Sequence, residues 1–421
     1  MSFDIALSGI QAINDSLDIT SHNIANAGTY GYKSGRANFS SLVAGNQVTG
    51  VMVGSTTQNI GKTGGILNTG RALDASINGS GFFIAKDAQT GQTQYTRVGI
   101  FDASKDGFLI DASGRKVQGY AIAQGTSTLG ALGDLAIPTG SIPAVATDKM
   151  TYIANLSADW PAKKEWVTPE PLGEPPVPVD PDSFNSSRTT ILYDSIGGQR
   201  TLTQYFVRTP AEGAEAGLAG SVDVYYVLDG KQVGNMTMTF DAAKDGKMLT
   251  PDATTAGTFT LTLSAEEAGK NGALLKDLVI DYTGTTGFAG EATVSTNRAT
   301  GYAAGNFTGV AMGTDGSVIA SYSNGEKQAI GRIAIATFPN EGGLTSINNT
   351  SWTTSTSSGE PLVNAPGVGM GGTINITSLE GSNVDITSEL VGLMTSQRNY
   401  QANSKVIQTE STMLQSLMQA V

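Results

Sequence analysis

Apolar side chains recur at every seventh position at both ends of the chain, with polar residues between them. This spacing places the apolar side chains along one stripe of a helix. The two stripes, together called the seam, consist of Phe3, Ile10, Leu17, Ile24, Ile386, Leu393, Tyr400, Ile407 and Leu414. The pattern predicts an N-terminal helix over residues 1–27 and a C-terminal helix within residues 376–421, which begins near the capping-box spacing of Ser382 to Asp385.

Neither terminal helix is expected to be stable alone. Gly9 costs about 1 kcal/mol relative to alanine inside the first helix, and isolated helices of this length are marginal in water. A single apolar stripe usually packs on its own domain. Two matching stripes, without the flanking charges that make an independent coiled coil soluble, favour burial against other copies of the chain. We therefore interpret the seam as a polymerisation surface, with the helices forming a coiled-coil-like inner core.

Between the helices the chain is predicted to be mainly β. Residues 28–75 read as an extended connector that glycines punctuate. Two meanders with hairpin turn signals favour one discontinuous β-domain of residues 76–145 and 305–375. Further alternating runs predict a separate outer β-domain over residues 146–304. The predicted fold class is mainly β with α-helical termini, in a discontinuous multidomain subunit with two β-rich outer domains.

A proline-rich stretch interrupts the predicted outer β-domain. Seven of the 14 prolines of the chain fall within residues 161–181. Proline lacks an amide donor and has a fixed backbone angle, so this stretch is unsuited to a central strand. We expect an exposed, extended loop at this place.

Composition narrows the classes of function. The chain has 421 residues, among them 53 glycines, one histidine and no cysteine, and its net charge is -12. This acidity opposes binding to nucleic acids and to anionic lipids. No run of about 18 apolar residues predicts a membrane span, and the first residues lack the pattern of a cleavable Sec signal. The lack of cysteine excludes disulfides and thiolate metal sites.

No group of residues in the sequence supports an enzyme. His22 is the only possible base for a catalytic triad, and because no G-x-S-x-G elbow accompanies it we interpret it as a polar packing residue. A G-x-G-x-x-G match at residues 367–372 precedes a strand pattern instead of a helix, which argues against dinucleotide binding and favours a hinge. We accordingly predict no catalytic residue, no cofactor and no metal site.

Both ends of the chain resemble one protein family. The runs SFDIALSGIQAINDSLDITSHNIANAGTYGYKSGRANFSSLVAG and GSNVDITSELVGLMTSQRNYQANSKVIQTESTMLQSL are similar to the shared ends of the bacterial flagellar rod and hook proteins. The family usually has glycine where this chain has His22. Internal stretches, among them LNTGRALDASINGSGFFIA and TTILYDSIGGQRTLTQYFVR, are similar to the hook members and less so to the rod members.

The resemblance implies a structural subunit of the flagellar hook, a curved tubular universal joint that transmits torque from rod to filament. It implies self-association into a helical homopolymer, with the distal rod protein, the hook cap and the hook-filament junction proteins as partners. It also implies passage through the flagellar export apparatus to the extracellular flagellum, without a cleaved Sec signal and without membrane insertion. Nucleic acid is not expected as a partner.

Two other functions stay open on the sequence. A distal rod protein of the flagellar basal body has similar ends but forms a straight, stiff segment. A secreted β-rich adhesin has a similar acidic and cysteine-free composition, but it has no reason to keep two helical ends with matching seams. A deletion strain separates hook from rod, because loss of a rod subunit eliminates hooks, whereas loss of the hook subunit leaves rods without hooks. Curved tubes of uniform diameter in electron micrographs of the purified protein would exclude an adhesin.

Overall fold

The computed structural model describes residues 2–44, 47–123, 128–163, 165–169, 179–209, 218–241, 246–250, 257–264, 269–270 and 273–420. Within these ranges, one helix lies at each end of the chain, and strands and two short 3-10 turns lie between them. This confirms the predicted fold class, mainly β with helical termini. The prediction of a proline-rich loop falls largely on residues 170–178, which lie outside the described residues.

The elements have the following bounds. The helices are α1 (Ser2–Ala25) and α2 (Ile386–Ala420), and the 3-10 turns are Pro181–Ser183 and Glu341–Gly343. The first fifteen strands are β1 (Gly35–Ala44), β2 (Gln47–Gln58), β3 (Ile66–Asn68), β4 (Ala75–Asn78), β5 (Phe82–Lys86), β6 (Thr93–Thr96), β7 (Phe101–Ala103), β8 (Leu109–Asp111), β9 (Lys116–Ile122), β10 (Leu129–Asp134), β11 (Lys149–Asn155), β12 (Ser186–Tyr193), β13 (Gln199–Thr209), β14 (Leu218–Leu228) and β15 (Lys231–Asp241). The next fifteen are β16 (Lys247–Thr250), β17 (Thr258–Leu261), β18 (Gly269–Lys270), β19 (Ala273–Leu274), β20 (Leu278–Asp281), β21 (Thr293–Ala299), β22 (Phe307–Met312), β23 (Ser317–Tyr322), β24 (Lys327–Ile333), β25 (Ile335–Thr337), β26 (Thr345–Ile347), β27 (Ser351–Thr353), β28 (Leu362–Asn364), β29 (Thr373–Ile376) and β30 (Ser378–Glu380).

One compact unit is made of residues 1–139, 308–321 and 327–421. Its main sheet runs in the order β22-β23-β24-β9-β5-β6-β27-β26. Buried aromatic rings form the core beside this sheet: the Phe82 ring lies 5.5 Å from Trp352, and the Tyr95 ring lies 4.8 Å from Phe338, both edge to face. These rings stabilise the strands that carry them, because each buries a large apolar surface and also makes a favourable ring contact.

Residues 28–75 contain a long hairpin, whereas the sequence pattern predicted an extended connector. β1 and β2 pair antiparallel from Gly35 opposite Gln58, with two bulges along the ladder. β2 packs along α1, and glycine at position 50 permits this contact, because a Cβ there would lie 2.3 Å from the Ser8 Oγ. The sequence did not indicate the hairpin because the bulges break the alternation of two that marks a strand.

The second compact unit is made of residues 140–307 and 322–326. It contains a five-stranded antiparallel sheet in the order β12-β13-β14-β15-β16 and a four-stranded sheet in the order β17-β20-β11-β21. Alternate side chains of these strands, Tyr152 and Tyr226 among them, form one buried core. The hydroxyl oxygens of Tyr226 and Tyr282 lie 2.7 Å apart, and burial raises the pKa of Tyr152 to about 12.

A fragment of residues 140–307 should fold alone, because it supplies nearly the whole second unit and that unit's buried core. We expect a cooperative thermal transition in its near-ultraviolet circular dichroism. The matched control is the same fragment with Tyr282→Ala, which loses a fully buried ring and should melt at a lower temperature. A gradual, non-cooperative melt of the unaltered fragment would contradict its description as a separate unit.

Candidate assembly surface

The two terminal helices pair antiparallel within the first unit. Asn23 Nδ2 donates a hydrogen bond to Glu389 Oε1 at 2.9 Å. Further along the pair Gly9 faces Asn403, whose Nδ2 would lie 3.1 Å from a Cβ at Gly9. The inward side of α1 carries small residues such as Ala12, which is 1% exposed. Small residues let the two backbones approach each other closely.

A buried ion cluster joins the segment after α1 to the segment before α2. Lys33 Nζ lies 2.7 Å from Glu380 Oε1, Arg97 Nη1 lies 3.3 Å from Glu380 Oε2, and all three side chains are at most 2% exposed. Burial lowers the pKa of Lys33 and of Arg97, and the carboxylate of Glu380 opposes both shifts. Lys33 Nζ also donates to the Lys62 carbonyl at 2.8 Å, and the Gly64 amide donates to Glu380 Oε1 at 3.0 Å. The cluster therefore ties together stretches that are remote in the sequence.

Two asparagines extend this junction towards the helices. The Asn383 side chain accepts a hydrogen bond from the Ser34 amide at 2.7 Å and donates one to the Asn59 carbonyl at 2.8 Å. The Asn23 side chain accepts one from the Gly35 amide at 2.9 Å. These bonds satisfy buried backbone groups where the chain leaves α1 and approaches α2. They fix the junction end of the helix pair to the β-structure of the first unit.

Asp385 is the N-cap of α2. Its Oδ1 accepts hydrogen bonds from the amides of Thr387 at 3.0 Å and Ser388 at 3.3 Å, and the Ser388 hydroxyl donates to Oδ2 at 3.0 Å. These bonds hold the pKa of Asp385 below its usual range, and the bond from the Ser388 hydroxyl contributes most to this shift. The helix therefore begins at the end of the predicted capping-box spacing of Ser382 to Asp385. Asn383 lies before it in a non-helical segment, because its side chain is engaged in the junction.

All nine seam residues stay at least partly accessible in the single chain. Ile10, Leu17, Ile24, Leu393 and Ile407 are half-buried. The exposed seam residues are Phe3 (41%), Ile386 (51%), Tyr400 (39%) and Leu414 (55%). The pairing of the two helices within one chain therefore buries the stripe only in part.

Sequence reasoning missed part of the exposed apolar surface. Gly9 lies opposite Asn403 and Asn23 lies opposite Glu389. In this register the final turns of α2 extend past the first residue of α1 and have no part of α1 opposite them. Leu417 and Met418, which flank the seam in the sequence, are exposed in those turns. Met413 is exposed there too and was missed, although its place among these apolar residues in an almost uncharged segment was an available signal. His22, expected as a packing residue, is exposed, because it lies on the side of α1 that does not contact the rest of the chain.

Three family models match successive parts of the chain. They are the flagellar hook protein FlgE/F/G D1 domain over residues 76–151, the flagellar basal body protein FlaE D2 domain over residues 157–302, and the flagellar basal body rod FlgEFG protein C-terminal region over residues 377–420. The flagellar hook protein FlgE of Salmonella typhimurium is 32% identical over 434 residues, 99% of this chain and 99% of that protein. The chain belongs to the flagellar hook protein family.

Other hook proteins show the same full-length similarity. FlgE of Escherichia coli K12 is 32% identical over 429 residues, with 99% of each chain covered, and FlgE of Treponema pallidum is 29% identical over 470 residues, with 98% of this chain and 97% of that protein covered. The crystal structure of Helicobacter pylori flagellar hook protein FlgE2 shares the fold with a TM-score of 0.51 at 14% identity, covering 75% of this chain and all of that one.

These findings give the chain a flagellar location and a structural role. It is a subunit of the flagellar hook and not an enzyme. Among the described residues, no helix combines the length and the apolarity that a membrane span requires.

Proposed function

We propose that this hook subunit polymerises through the exposed apolar sides of α1 and α2, which form the inner layer of the hook tube as a coiled-coil-like core. One observation carries the proposal: large apolar side chains stay exposed on both helices although the two helices pair with each other in the single chain. Burial of one such side chain contributes about 1.5–3 kcal/mol. Exposed apolar residues on α2 include Ile386, Leu390, Val391, Met394, Tyr400, Val406, Met413, Leu414, Leu417 and Met418.

The tube acts as a curved universal joint that transmits torque from rod to filament. Tight apolar packing of helices at small radius resists torsion, whereas separate β-rich domains at larger radius accommodate bending. The division of the chain that serves this role is a helix at residues 1–27, a connector at 28–75, an inner β-domain at 76–145 with 305–375, an outer β-domain at 146–304, and a second helical end at 376–421. The presence of two compact units, each with its own core, supports such a division of labour.

The partners of the tube follow from its place between rod and filament. The distal rod protein lies at its inner end, the hook cap at its growing end, and the hook-filament junction proteins at its outer end once growth stops. The subunit leaves the cell through the flagellar export apparatus without a cleaved Sec signal. The full-length similarity to hook proteins of several bacteria supports this set of partners.

Hydrogen exchange of the monomer and of the polymer tests the proposal. Ordering a helix costs about 1–2 kcal/mol per residue in backbone entropy, so amides of residues 10–24 and 393–414 should exchange rapidly in the monomer. The same amides should be protected by more than about a hundredfold in tubes, because burial of both helices by neighbours raises the cost of opening them. Amides of Val222–Leu228, in a core strand, are the control and should be protected in both states. Equal exchange of the helices in monomer and polymer would contradict the proposal.

A further inference from the structure

The outward side of α1 is acidic. Asp15 follows Ala6 by nine residues, and Asp18 follows Gly9 by nine residues, which is two and a half helical turns. Each carboxylate therefore projects away from the small residue that lies nine positions before it. Both aspartates are exposed, and within the described part of the chain neither carboxylate has a hydrogen-bond or ion-pair partner. Leu7, which is 40% exposed, lies on the same side, and α1 contains no lysine or arginine.

The outward side of α2 is basic. Arg398 follows Glu389 by nine residues, so it projects away from α1, and Lys405 lies two turns further along the same side. Between residues 390 and 409 the helix carries no other charged residue. Arg398 and Lys405 are exposed and have no side-chain partner among the described residues. Val391, which is 54% exposed, supplies an apolar contact beside them.

We infer that the acidic side of α1 in one subunit docks on the basic side of α2 in the next, with Asp15 and Asp18 of one copy paired to Arg398 and Lys405 of its neighbour. This rests on the proposed polymerisation through the helices and adds its direction and its charge pattern. The four groups cannot pair within one chain, because the two sides of the helix pair point in opposite directions. A second copy of the chain brings them together.

The placement of the charges also determines the symmetry of the contact. Opposite charges on opposite sides of one helix pair make each subunit complementary to the next subunit head to tail, and not to itself across a twofold axis. A head-to-tail contact continues into a ring or a helical tube, whereas a twofold contact ends at a dimer. The charge pattern therefore accounts for open-ended growth, while the apolar residues between the charges supply most of the stabilisation.

Charge exchange in seeded polymerisation tests the inference. One variant carries Asp15→Lys with Asp18→Lys, a second carries Arg398→Glu with Lys405→Glu, and a third carries all four changes. Each of the first two places like charges across the contact and should raise the critical concentration for assembly about tenfold or more. The third should assemble like the unaltered protein. The control for a changed net charge is Asp106→Lys with Glu291→Lys, at exposed positions away from the helices.

An equimolar mixture of the first two variants decides between contacts within one chain and contacts between copies. If the pairs form between copies, the mixture should assemble near the unaltered critical concentration, because lysines on one copy meet glutamates on the other. If the mixture does not assemble but the third variant does, the charged groups pair within one chain, and the inference is overturned. Assembly of each of the first two variants at the same critical concentration as the control would also overturn the inference. That result would not contradict the apolar contact, which the Leu414→Asp variant tests separately.

Discussion

Replacing Glu380 by glutamine should lower the free energy of unfolding of the first unit by about 3–5 kcal/mol. The change keeps the shape of the side chain but removes the carboxylate that, among the described residues, contacts both Lys33 and Arg97, which are buried. Two cations without a counter-charge then stay in a medium that solvates them poorly. Denaturant unfolding followed by the fluorescence of Trp352, which is buried in the core of the first unit, measures the effect.

The control for this measurement is Glu291→Gln, which removes an exposed carboxylate and should change the unfolding free energy by no more than about 0.5 kcal/mol. A Glu380→Gln variant as stable as this control would show that the cluster does not hold the junction together. The variant should also assemble more slowly, because the junction fixes the end of the helix pair from which both helices extend.

The helices and the β-structure could be predicted from the sequence because apolar residues recur at a regular spacing in each of them. The seam residues recur every seven positions, and that period survives any tertiary context in which one helical side is apolar. The start of α2 lies at the end of the predicted spacing of Ser382 to Asp385, and which of these residues caps the helix depends on the bonds that Asn383 makes elsewhere. Hairpin β1–β2 was missed because its bulges remove the period of two.

The candidate site could be predicted only in part. The sequence marks apolar stripes but does not show which side of each helix faces the other, since Ala6, Gly9 and Ala12 are too small to mark an interface by hydrophobicity. It also cannot reveal the junction, because Lys33 and Glu380 are separated by most of the chain and each is an ordinary charged residue in isolation. Their pairing becomes visible only when the β-strands bring the two ends together.

The junction and the exposed helical sides have different roles in the proposed assembly. Buried polar bonds hold the junction end of the helix pair in one geometry, whereas in the proposed assembly the exposed apolar residues farther along supply the attraction to neighbours. Ordering of the free turns of α2 is then coupled to their burial, which makes addition to an existing tube easier than the start of a new one. Growth from seeds should accordingly be much faster than spontaneous formation of tubes.

Replacing Leu414 by aspartate should prevent polymerisation and leave the monomer folded. Leu414 is 55% exposed and has no residue of α1 opposite, so the single chain loses little, whereas a subunit in the tube loses about 1.5–3 kcal/mol of burial and gains an unpaired charge. We expect the critical concentration to rise at least about a hundredfold, since each 1.4 kcal/mol corresponds to about a factor of ten. Sedimentation and electron microscopy of seeded reactions measure this, with Gln92→Asp, an exposed change of equal charge in a β-turn, and Leu414→Met as controls that should form normal tubes. Tubes of normal length and curvature from the Leu414→Asp variant would show that this side of α2 faces solvent in the hook, and that other surfaces hold the subunits together.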